Sequence, residues 1–373
     1  MRNYYGEEFF SKSKGSELIP VFSVRYSGDQ KRIRSIRDYD KLANKDSIIF
    51  SFNAFDHQDY KKSKYYKQYF QLVQDHVKKP DRPGFMLKKI IINEQGMTQF
   101  DAYIGTFGET VFTNHVLDYE LYKIYMRGRK RPFKKLKKEA IIRNNIHASV
   151  DVDQSSPDFK DKMRKSLLSG EGRKSLLGVQ MLVLIKDKDD YNIKIIRRSK
   201  QVAIAPERFQ LVPSGGFEIF NDSQDGYSKF ELEDNYSPGC AIFREYLEEL
   251  FGEEECEGRG RGSVNEVLLK DERIQEIEKM LRTGEAEFKF LGSVMDLLGL
   301  RHELSFVLVI HQENYIENIF IGNEESQNGT FISNVTLHNF EEKKDLWDDI
   351  LWQSAAMWNL FKETDLYKSL ITK

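Results

Sequence analysis

Three glutamates in one segment are the residues of this sequence whose type and spacing best suit chemistry. Glu245, Glu248 and Glu249 lie in CAIFREYLEELF. At about 100° per residue, their three carboxylates share one face of a helix. The apolar residues of the segment fall on the opposite face, so the pattern predicts a helix that buries one side and presents the carboxylates on the other.

Carboxylates this close together repel one another. Unless a cation lies among them, each raises the pKa of its neighbours. Oxygen ligands of this kind suit Mg²⁺ and Mn²⁺, and Mg²⁺ in particular keeps several waters and bridges to substrate phosphates. The three glutamates therefore predict a site for Mg²⁺ or Mn²⁺. The alternative interpretation is an acidic helix face that contacts only solvent.

Local signals mark both ends of this helix and the segment before it. Ser237 followed by Pro238 is typical of a helix start, and Gly252 is typical of a helix end. Upstream, FQLVPSGGFE predicts a strand that runs into a glycine turn. Gly215 and Gly216 would serve that turn through positive φ, and close approach to a phosphate is a second use of the same property.

Alternating strands and helices are predicted around these elements. VQMLVLIKD and YNIKIIRRS predict a β-hairpin, and FKFLGSVM and ELSFVLVIHQ predict two further strands. Helices are predicted at residues 264–281 and 339–361. The polar segment 151–174 is the predicted boundary between an N-terminal α+β region of unassigned role, residues 1–170, and a second domain, residues 175–373.

The glycine turn and the carboxylate helix together resemble the Nudix box, the loop–helix–loop signature of the Nudix hydrolase superfamily. The matching segments are Pro213-Ser214-Gly215-Gly216-Phe217-Glu218 and Arg244-Glu245-Tyr246-Leu247-Glu248-Glu249. The family pattern is G-x5-E-x7-R-E-U-x-E-E-x-G-U, with U apolar. Its R-E-U-x-E-E core is matched at every position, and the resemblance covers roughly residues 175–373.

Outside that core the chain departs from the family pattern. Asp222 stands six residues after Gly216, where a Glu is expected, and Tyr236 stands eight residues before Arg244. An insertion of about eighteen residues, 219–236, separates the turn from the helix. The glycine after the glutamate pair is displaced by one residue. The metal carboxylates are kept, while the rest of the pattern is not.

The resemblance implies a Nudix-like α/β/α sandwich with a mixed sheet, and hydrolysis of a nucleoside diphosphate linked to another group. It implies that Glu245, Glu248 and Glu249 bind the metal ions. Glu248 would also be catalytic, and Arg244 would orient a carboxylate through a structural ion pair. A metal-bound water would attack the diphosphate.

Further site residues follow from the same resemblance. The general base varies in position across the family, so Glu303, at the start of ELSFVLVI, is the candidate and Asp296 its competitor. Gly215, Gly216 and Glu218 would form the loop that contacts substrate and phosphate. The alternative for Glu303 and Asp296 is an ordinary acidic residue, and for Glu218 the polar end of a strand.

A second class of function fits the same residues. The altered box equally suits a catalytically weak or inactive domain of the Nudix type, which binds a nucleotide as a sensor or interaction module. Saturable binding without turnover would distinguish it from the hydrolase.

Charge is distributed unevenly along the chain, and this bears on its partners. Net charge is -2, but residues 123–138 carry nine Lys or Arg and no acid, and residues 218–257 carry thirteen Asp or Glu against two bases. The basic run that begins at Arg127 and ends at Lys138 would attract nucleic acid through its phosphates. Since no nucleic-acid-binding motif surrounds it, a nucleotide-containing small molecule is the favoured partner. A homodimer is also compatible with the sequence.

Composition excludes several classes of protein. The chain has 373 residues, 40% hydrophobic and 31% charged, which is typical of a folded protein with room for two domains. The sequence has no apolar run long enough to predict a membrane span. Its first residues lack the apolar region of a secretion signal, so export is not predicted. Two cysteines, Cys240 and Cys256, cannot build a disulfide framework, and His302 has no second ligand at metal-binding spacing and is predicted to lie in a loop. We therefore expect a cytoplasmic location without membrane contact.

Overall fold

A computed structural model of the protein describes most of the chain. The described residues are 1–12, 18–30, 33–48, 60, 63–73, 82–128, 138–149, 159–200, 205–220, 228–253, 263–313, 315, 325–326 and 329–372. Most of the basic run, residues 129–137, lies outside them, as do Asp222 and Cys256.

The strands are numbered β1 to β14 in chain order. They are Ser11–Lys12, Leu18–Ile19, Val21–Arg25, Pro83–Asn93, Gly96–Thr106, Gly178–Asp187, Asp190–Ile193, Ile195–Arg198, Phe209–Leu211, Ser214–Gly216, Ala286–Asp296, His302–Ile310, Glu325–Ser326 and Gly329–Phe331.

The α-helices are numbered α1 to α13 in chain order. They are Arg2–Tyr5, Lys64–Val73, Phe107–Thr110, Val116–Arg127, Ile141–Ser149, Phe159–Leu167, Lys229–Asn235, Pro238–Phe251, Val264–Lys270, Glu272–Thr283, Lys344–Asp349, Trp352–Lys362 and Asp365–Ile371. Short 3₁₀ helices lie at Glu7–Phe9, Ile36–Leu42, Lys45–Ser47 and Phe340–Glu342, and a π-helical turn at Val111–His115. In the described part of the chain, none of these helices combines the length and the apolar character that crossing a membrane requires.

A six-stranded mixed sheet positions the site. Its order is β10-β6-β12-β11-β3, and β7 pairs with the far end of β6. Strands β6 and β12 are parallel, whereas the other pairs in this sheet are antiparallel. The chain is therefore a mixed α/β protein with a mixed sheet, as the sequence predicts. Strand β3 comes from the N-terminal region and pairs with β11, while the predicted division near residue 170 stays a prediction.

The central strands of this sheet are buried on both faces. In β6, Met181 and Val183 belong to one hydrophobic cluster, and Leu182 and Leu184 belong to another. A strand covered on both sides is apolar at nearly every position, which explains the continuous run MLVLI at residues 181–185. The predicted hairpin of β6 and β7 is confirmed, although β8 leaves it to pair with β9 and β14.

Helix α8, here called the carboxylate helix, has the predicted ends. The Ser237 hydroxyl accepts a hydrogen bond from the Cys240 amide, and Pro238 occupies the first turn. Gly252 ends the helix in the left-handed conformation, with φ of 68°. The apolar face is buried as predicted, at Phe243, Leu247 and Leu250.

The predicted helix at residues 339–361 is wrong in its continuity. Helices α11 and α12 are separated by Ile350 and Leu351, which are extended. The Leu351 amide donates to the Phe209 carbonyl at 2.8 Å, and Ile350 forms an isolated bridge with Phe209. The helix is therefore interrupted where its backbone bonds to β9, although the helical pattern of the sequence continues through this point.

The predicted helix at residues 264–281 is two helices, α9 and α10. Asp271 lies between them in an extended conformation, and its carboxylate accepts a hydrogen bond from the Arg273 amide. An aspartate in this position starts a new helix because it satisfies an amide that has no partner within the helix.

Two more predictions differ from the structure. His302 does not lie in a loop: it is buried in β12, with its ring nitrogens 2.8 Å from the Ser293 hydroxyl and 2.7 Å from the Leu167 carbonyl. Burial lowers its pKa to about 3, so it is a neutral core histidine. The predicted boundary segment 151–174 is not an open linker in its described part, because it contains α6 and ends at the buried Arg173.

Candidate functional site

Strand β10 lies directly against the carboxylate helix. The Ser214 amide donates to Glu249 Oε2 at 3.0 Å. A Cβ atom on Gly215 would lie 2.0 Å from the carboxyl carbon of Glu245, so only glycine fits there. Neither Gly215 nor Gly216 has positive φ, so the predicted use of these glycines in a left-handed turn is wrong, and at Gly215 the reason for glycine is the close approach of Glu245.

The insertion between the two segments closes on itself. Asn235, at the end of α7, donates to the Phe220 carbonyl and accepts from the Phe220 amide, both at 3.1 Å. Tyr236 stacks on Phe217 with ring centroids 6.0 Å apart. Because its two ends meet, the insertion does not separate the glycine strand from the carboxylate helix in space.

Glu218 joins the helix glutamates beside β10. A Cβ atom on Gly216 would lie 3.1 Å from Glu218 Cγ and Oε1. The backbone on either side is fixed, because the Phe217 amide donates to the Leu177 carbonyl at 2.8 Å and the Ile219 amide donates to the Pro83 carbonyl at 2.9 Å. The side chain of Glu218 therefore lies over the glycine strand.

Like charges dominate the electrostatics of this cluster. Burial raises the pKa of Glu245 well above its usual value, and the neighbouring carboxylates of Glu248, Glu249 and Glu218 raise it further. Glu249 is 7% exposed, whereas Glu245 and Glu248 are partly exposed. The mutual repulsion that the sequence predicts is thus present, and a cation would relieve it.

Arg244 lies on the buried side of the carboxylate helix. It donates to Asn265 Oδ1 at 2.8 Å and to the Glu218 carbonyl at 3.3 Å, and its guanidinium lies 4.8 Å from the ring centre of Phe220. Its charge opposes the rise in the pKa of Glu245. These contacts tie the helix to the loop that carries Glu218, and the predicted ion pair with a carboxylate stays a prediction.

A hydrogen-bonded chain connects β8 to the carboxylate helix. Arg198 donates to Gln210, Gln210 donates to the Ser214 hydroxyl, and the Ser214 amide binds Glu249. Burial lowers the pKa of Arg198, while the charges of Glu249 and Glu303 act in the opposite direction. Arg198 Nε is buried and donates to no described residue, which leaves a donor for an anion.

A cavity of about 520 Å³ also borders β10. All three residues of β10 line it, together with charged side chains of both signs. The basic ones are Arg198, Arg208 and Arg301, and the acidic ones are Asp118, Asp296 and Glu303. Leu298 and the segment from Leu351 to Ser354 add further walls. The cavity and the carboxylate helix therefore share the glycine strand.

Glu303 lies in this cavity, beside the loop glycines. It pairs with Gly178 of β6, which in turn pairs with Gly216 of β10. A Cβ atom on Gly178 would lie 2.8 Å from Glu303 Cγ, so the side chain of Glu303 crosses β6 where a side chain is missing. Glu303 is 8% exposed, and its Oε1 accepts a hydrogen bond from Arg301 at 2.8 Å.

Asp296, the competing candidate for the general base, lies at the end of β11 in the same cavity. Its two carboxylate oxygens accept hydrogen bonds from the amides of Leu298 and Gly299, both at 2.9 Å. These bonds close the turn between β11 and β12. Asp296 thus has a structural task that Glu303 does not have.

The donor set beside β10 fits a hard cation in its chemistry. Four carboxylates, those of Glu218, Glu245, Glu248 and Glu249, interact there, and oxygen ligands of this kind suit Mg²⁺ and Mn²⁺. Within the described ranges, however, no three Asp, Glu, His or Cys side chains are arranged as a ready metal site. The metal site stays a prediction.

Several cavity residues were not predicted from the sequence. Arg301 lies just before β12 and two residues from the predicted Glu303, a spacing that puts both on one face of an extended segment, and this signal could have been read. Gln180 is a polar residue inside an apolar run, which is a second signal that could have been read. Asp118 and Trp352 carry no such signal, because α4 and α12 bring them to the cavity from distant parts of the chain.

Comparison with models of protein families and with curated proteins finds no match for this chain.

Proposed function

We propose that the chain is a metal-dependent hydrolase of the Nudix type, which cleaves the diphosphate linkage of a nucleoside diphosphate joined to another group. The fold we propose is a Nudix-like α/β/α sandwich, with the carboxylate helix on one face of the mixed sheet and α12 on the other. The covering of β6 by two hydrophobic clusters supports this arrangement.

One observation carries the proposal. The glycine strand and the carboxylate helix, separated in sequence by the insertion, are in contact at Gly215 and Glu245, where a single added carbon would lie 2.0 Å from the carboxyl group. An acidic helix face that only contacts solvent would not require so close an approach of backbone and carboxylate. A site in which the backbone lies close to both carboxylates and phosphates would require a glycine at this position.

The residues of this cluster fit a divalent cation. Glu245, Glu248 and Glu249 would hold it, and Glu218 would approach it from the loop. The cation would neutralise phosphate charge and lower the pKa of a bound water. The raised pKa of Glu245 supports the assignment, because a carboxylate crowded by like charges binds a cation readily.

Residues of the cavity would orient the substrate and move protons. Arg198, with a buried donor that no described residue uses, suits a phosphate oxygen. Glu303 is the proposed general base, because it is close to the loop glycines and its position is fixed by Arg301. The charge of Glu303 and that of Glu249 on the carboxylate helix both act on Arg198.

The test is a turnover screen with matched variants. The protein and its Glu248→Gln and Glu249→Gln variants are incubated with Mg²⁺ or Mn²⁺ and with dinucleotides, nucleotide sugars, nucleoside triphosphates and capped RNA, and the products are identified by mass spectrometry. We expect metal-dependent cleavage that falls at least about a hundredfold in both variants. Glu272→Gln is the control, since Glu272 is an exposed helical glutamate away from the site.

A second candidate function is a nucleotide sensor that does not cleave its ligand. The absence of a ready metal site within the described ranges favours it. Saturable binding of a nucleotide without products, and without dependence on metal, would select the sensor. Cleavage by the wild type alone would exclude it.

A further inference from the structure

The cavity beside β10 contains groups that the hydrolysis of a diphosphate does not need. Asp118, Asp296 and Trp352 line it, and no residue of the carboxylate helix is among its described lining residues. The negative charge of acidic side chains repels a phosphate. Asp118 and Asp296 therefore suit a part of the ligand other than its phosphates.

Asp118 reaches the cavity from the N-terminal region. It lies in the first turn of α4, it is exposed, and no described residue forms a hydrogen bond with its carboxyl group. A Cβ atom on Gly299 would lie 3.7 Å from Asp118 Oδ2 and 3.3 Å from Asp296 Oδ2. The two carboxyl groups therefore border the same glycine, one fixed in its turn and one available to a ligand.

The N-terminal region also fixes the turn that carries Asp296. Arg143 donates to the carbonyls of Leu297 and Leu298, the first at 2.7 Å. Asn114 donates to the Gly299 carbonyl at 3.0 Å, and Arg173 donates to the Leu300 carbonyl at 3.1 Å. Since Arg143, Asn114 and Arg173 are buried, the turn between β11 and β12 is held rigidly.

The two carboxyl groups differ in their protonation. Although Asp118 keeps an exposed face, the enclosing protein removes bulk water around it, and this together with the charge of Asp296 raises the pKa of Asp118 to about 8. Burial also raises the pKa of Asp296, but its two backbone hydrogen bonds favour the ionised form. Near pH 7 the pair therefore offers an O–H donor and carboxylate acceptors, which is what a hydroxyl-bearing ligand needs.

Trp352 gives the cavity a planar apolar wall. The chain has three tryptophans, and Trp347 and Trp358 are buried, whereas Trp352 is partly exposed. The backbone around it is anchored to β9, because the Leu351 amide donates to the Phe209 carbonyl and the Ser354 hydroxyl accepts from the Leu211 amide at 3.1 Å. A rigid aromatic face next to convergent polar groups is typical of small-molecule pockets.

We infer that the cavity binds the non-phosphate group of the substrate, and that this group is a sugar, held by Asp118 and Asp296 and covered by Trp352. The inference rests on the proposed function and narrows it to a nucleoside diphosphate sugar. It also gives the N-terminal region a role, because Asp118 comes from it, as do Arg143 and Asn114, two of the side chains that fix the turn.

The experiment compares two ligands, of which only one carries the terminal sugar. They are the α,β-methylene analogues of ADP-ribose and of ADP, whose diphosphate cannot be cleaved, with the corresponding uridine pair to cover a change of base. Dissociation constants are measured by calorimetry with Mg²⁺ for the full chain and for Asp118→Ala, Asp118→Asn and the control Asp348→Ala. Asp348 is an exposed carboxylate at the end of α11.

We expect the wild type to prefer the sugar-bearing ligand. Asp118→Ala weakens that ligand by about tenfold, which is the effect of losing one hydrogen bond to a charged or acidic group. The same variant leaves the ADP analogue unchanged, and Asp118→Asn retains most of the affinity. The sugar-bearing ligand also changes the fluorescence of the wild type, and Trp352→Phe removes that change.

Two results would overturn the inference, and they are distinguishable. If both ligands bind and Asp118→Ala weakens them equally or not at all, the sugar site is wrong while the proposed function stands. If the wild type binds no nucleotide of either series, the proposed function itself fails.

Discussion

The carboxylate helix and the cavity both border β10, yet their charges are arranged in opposite ways. On the helix, Glu245, Glu248 and Glu249 come from adjacent turns of one segment and repel each other. In the cavity, three arginines and three acids come from five separate parts of the chain, and they are partly paired, as Arg301 is with Glu303.

This difference separates two kinds of ligand. A cluster of one sign is incomplete without an ion of the opposite sign, so the helix suits a metal. A cavity in which the charges largely balance gains little from an added ion and suits a neutral polar group with several hydrogen bonds. In the function we propose, the glycine strand between them would hold the phosphates of the substrate.

The largest expected effect comes from breaking the contact between β10 and the helix. Gly215→Ala places a Cβ atom 2.0 Å from the carboxyl group of Glu245 and displaces it. We expect turnover to fall at least about a hundredfold, because misplacement by about 1 Å has that effect on a catalytic group. Initial rates with the substrate found in the screen measure it.

Gly216→Ala is the matched control for that variant. Its Cβ atom would lie 3.1 Å from the flexible side chain of Glu218, which can move, so the loss should be clearly smaller. Equal losses in the two variants would contradict the contact as the cause. Melting temperatures of both variants exclude a general loss of folding.

An intermediate effect is expected from removing the repulsion on the helix. The pKa of Glu245 is raised in the folded state above its ordinary value of 4.5. The folded protein therefore binds this proton more tightly than the unfolded chain, and the free energy of unfolding of the metal-free protein falls as pH rises above 4.5. Glu245→Gln should raise the melting temperature in EDTA at pH 7.5 by roughly 2–4 °C.

The same variant should lose the stabilisation that Mg²⁺ or Mn²⁺ gives the wild type. Thermal shift with and without the metal measures both effects. Glu272→Gln should change neither. If Glu245→Gln melts below the wild type in EDTA, the glutamates are not held in mutual repulsion.

The smallest effect concerns the cavity and its protonation. Because the pKa of Asp118 is raised to about 8, the wild-type affinity for the α,β-methylene analogue of ADP-ribose should be highest near pH 7, fall to about half by pH 8 and fall several-fold by pH 9.5, as the donor is lost. Asp118→Asn should show no such fall. Calorimetric titrations over this range measure it.

Other groups that face Asp118 do not produce this profile. The side chain of Tyr69 titrates above this range, because burial and the charge of Asp118 raise its pKa to about 12. Asp118→Asn keeps Asp296 and the neighbouring Arg143 and Arg301 in place. If the affinity of Asp118→Asn falls by the same factor, another group titrates. The protonated carboxyl group of Asp118 is then not what binds the sugar.

The sequence predicts the helix better than the cavity for a physical reason. The faces of α8, its N-terminal serine and its final glycine are local features, and they are confirmed. The contact of Gly215 with Glu245 follows from the resemblance but not from periodicity, because it joins residues across the insertion. The positive φ predicted at Gly215 is wrong, because local sequence does not show that Glu245, thirty residues later, approaches this position.

The cavity could not be predicted because its parts are joined only by tertiary structure. Asp118 looks like any acid in the first turn of a helix, and Trp352 looks like part of an apolar stripe. The break at Ile350 and Leu351, which turns Trp352 toward the cavity, depends on the edge of β9. Helical periodicity contains no information about such an edge.

Strand β3 has a consequence for any attempt to produce the second half of the chain alone. It covers the edge of β11 from Gly292 to Asp296. A fragment that starts at residue 175 would leave these amide and carbonyl groups of β11 without their partner strand. Such an edge recruits strands from other molecules. We therefore expect the fragment to aggregate. In the full chain, β3 of the N-terminal region prevents this by pairing with the edge of β11.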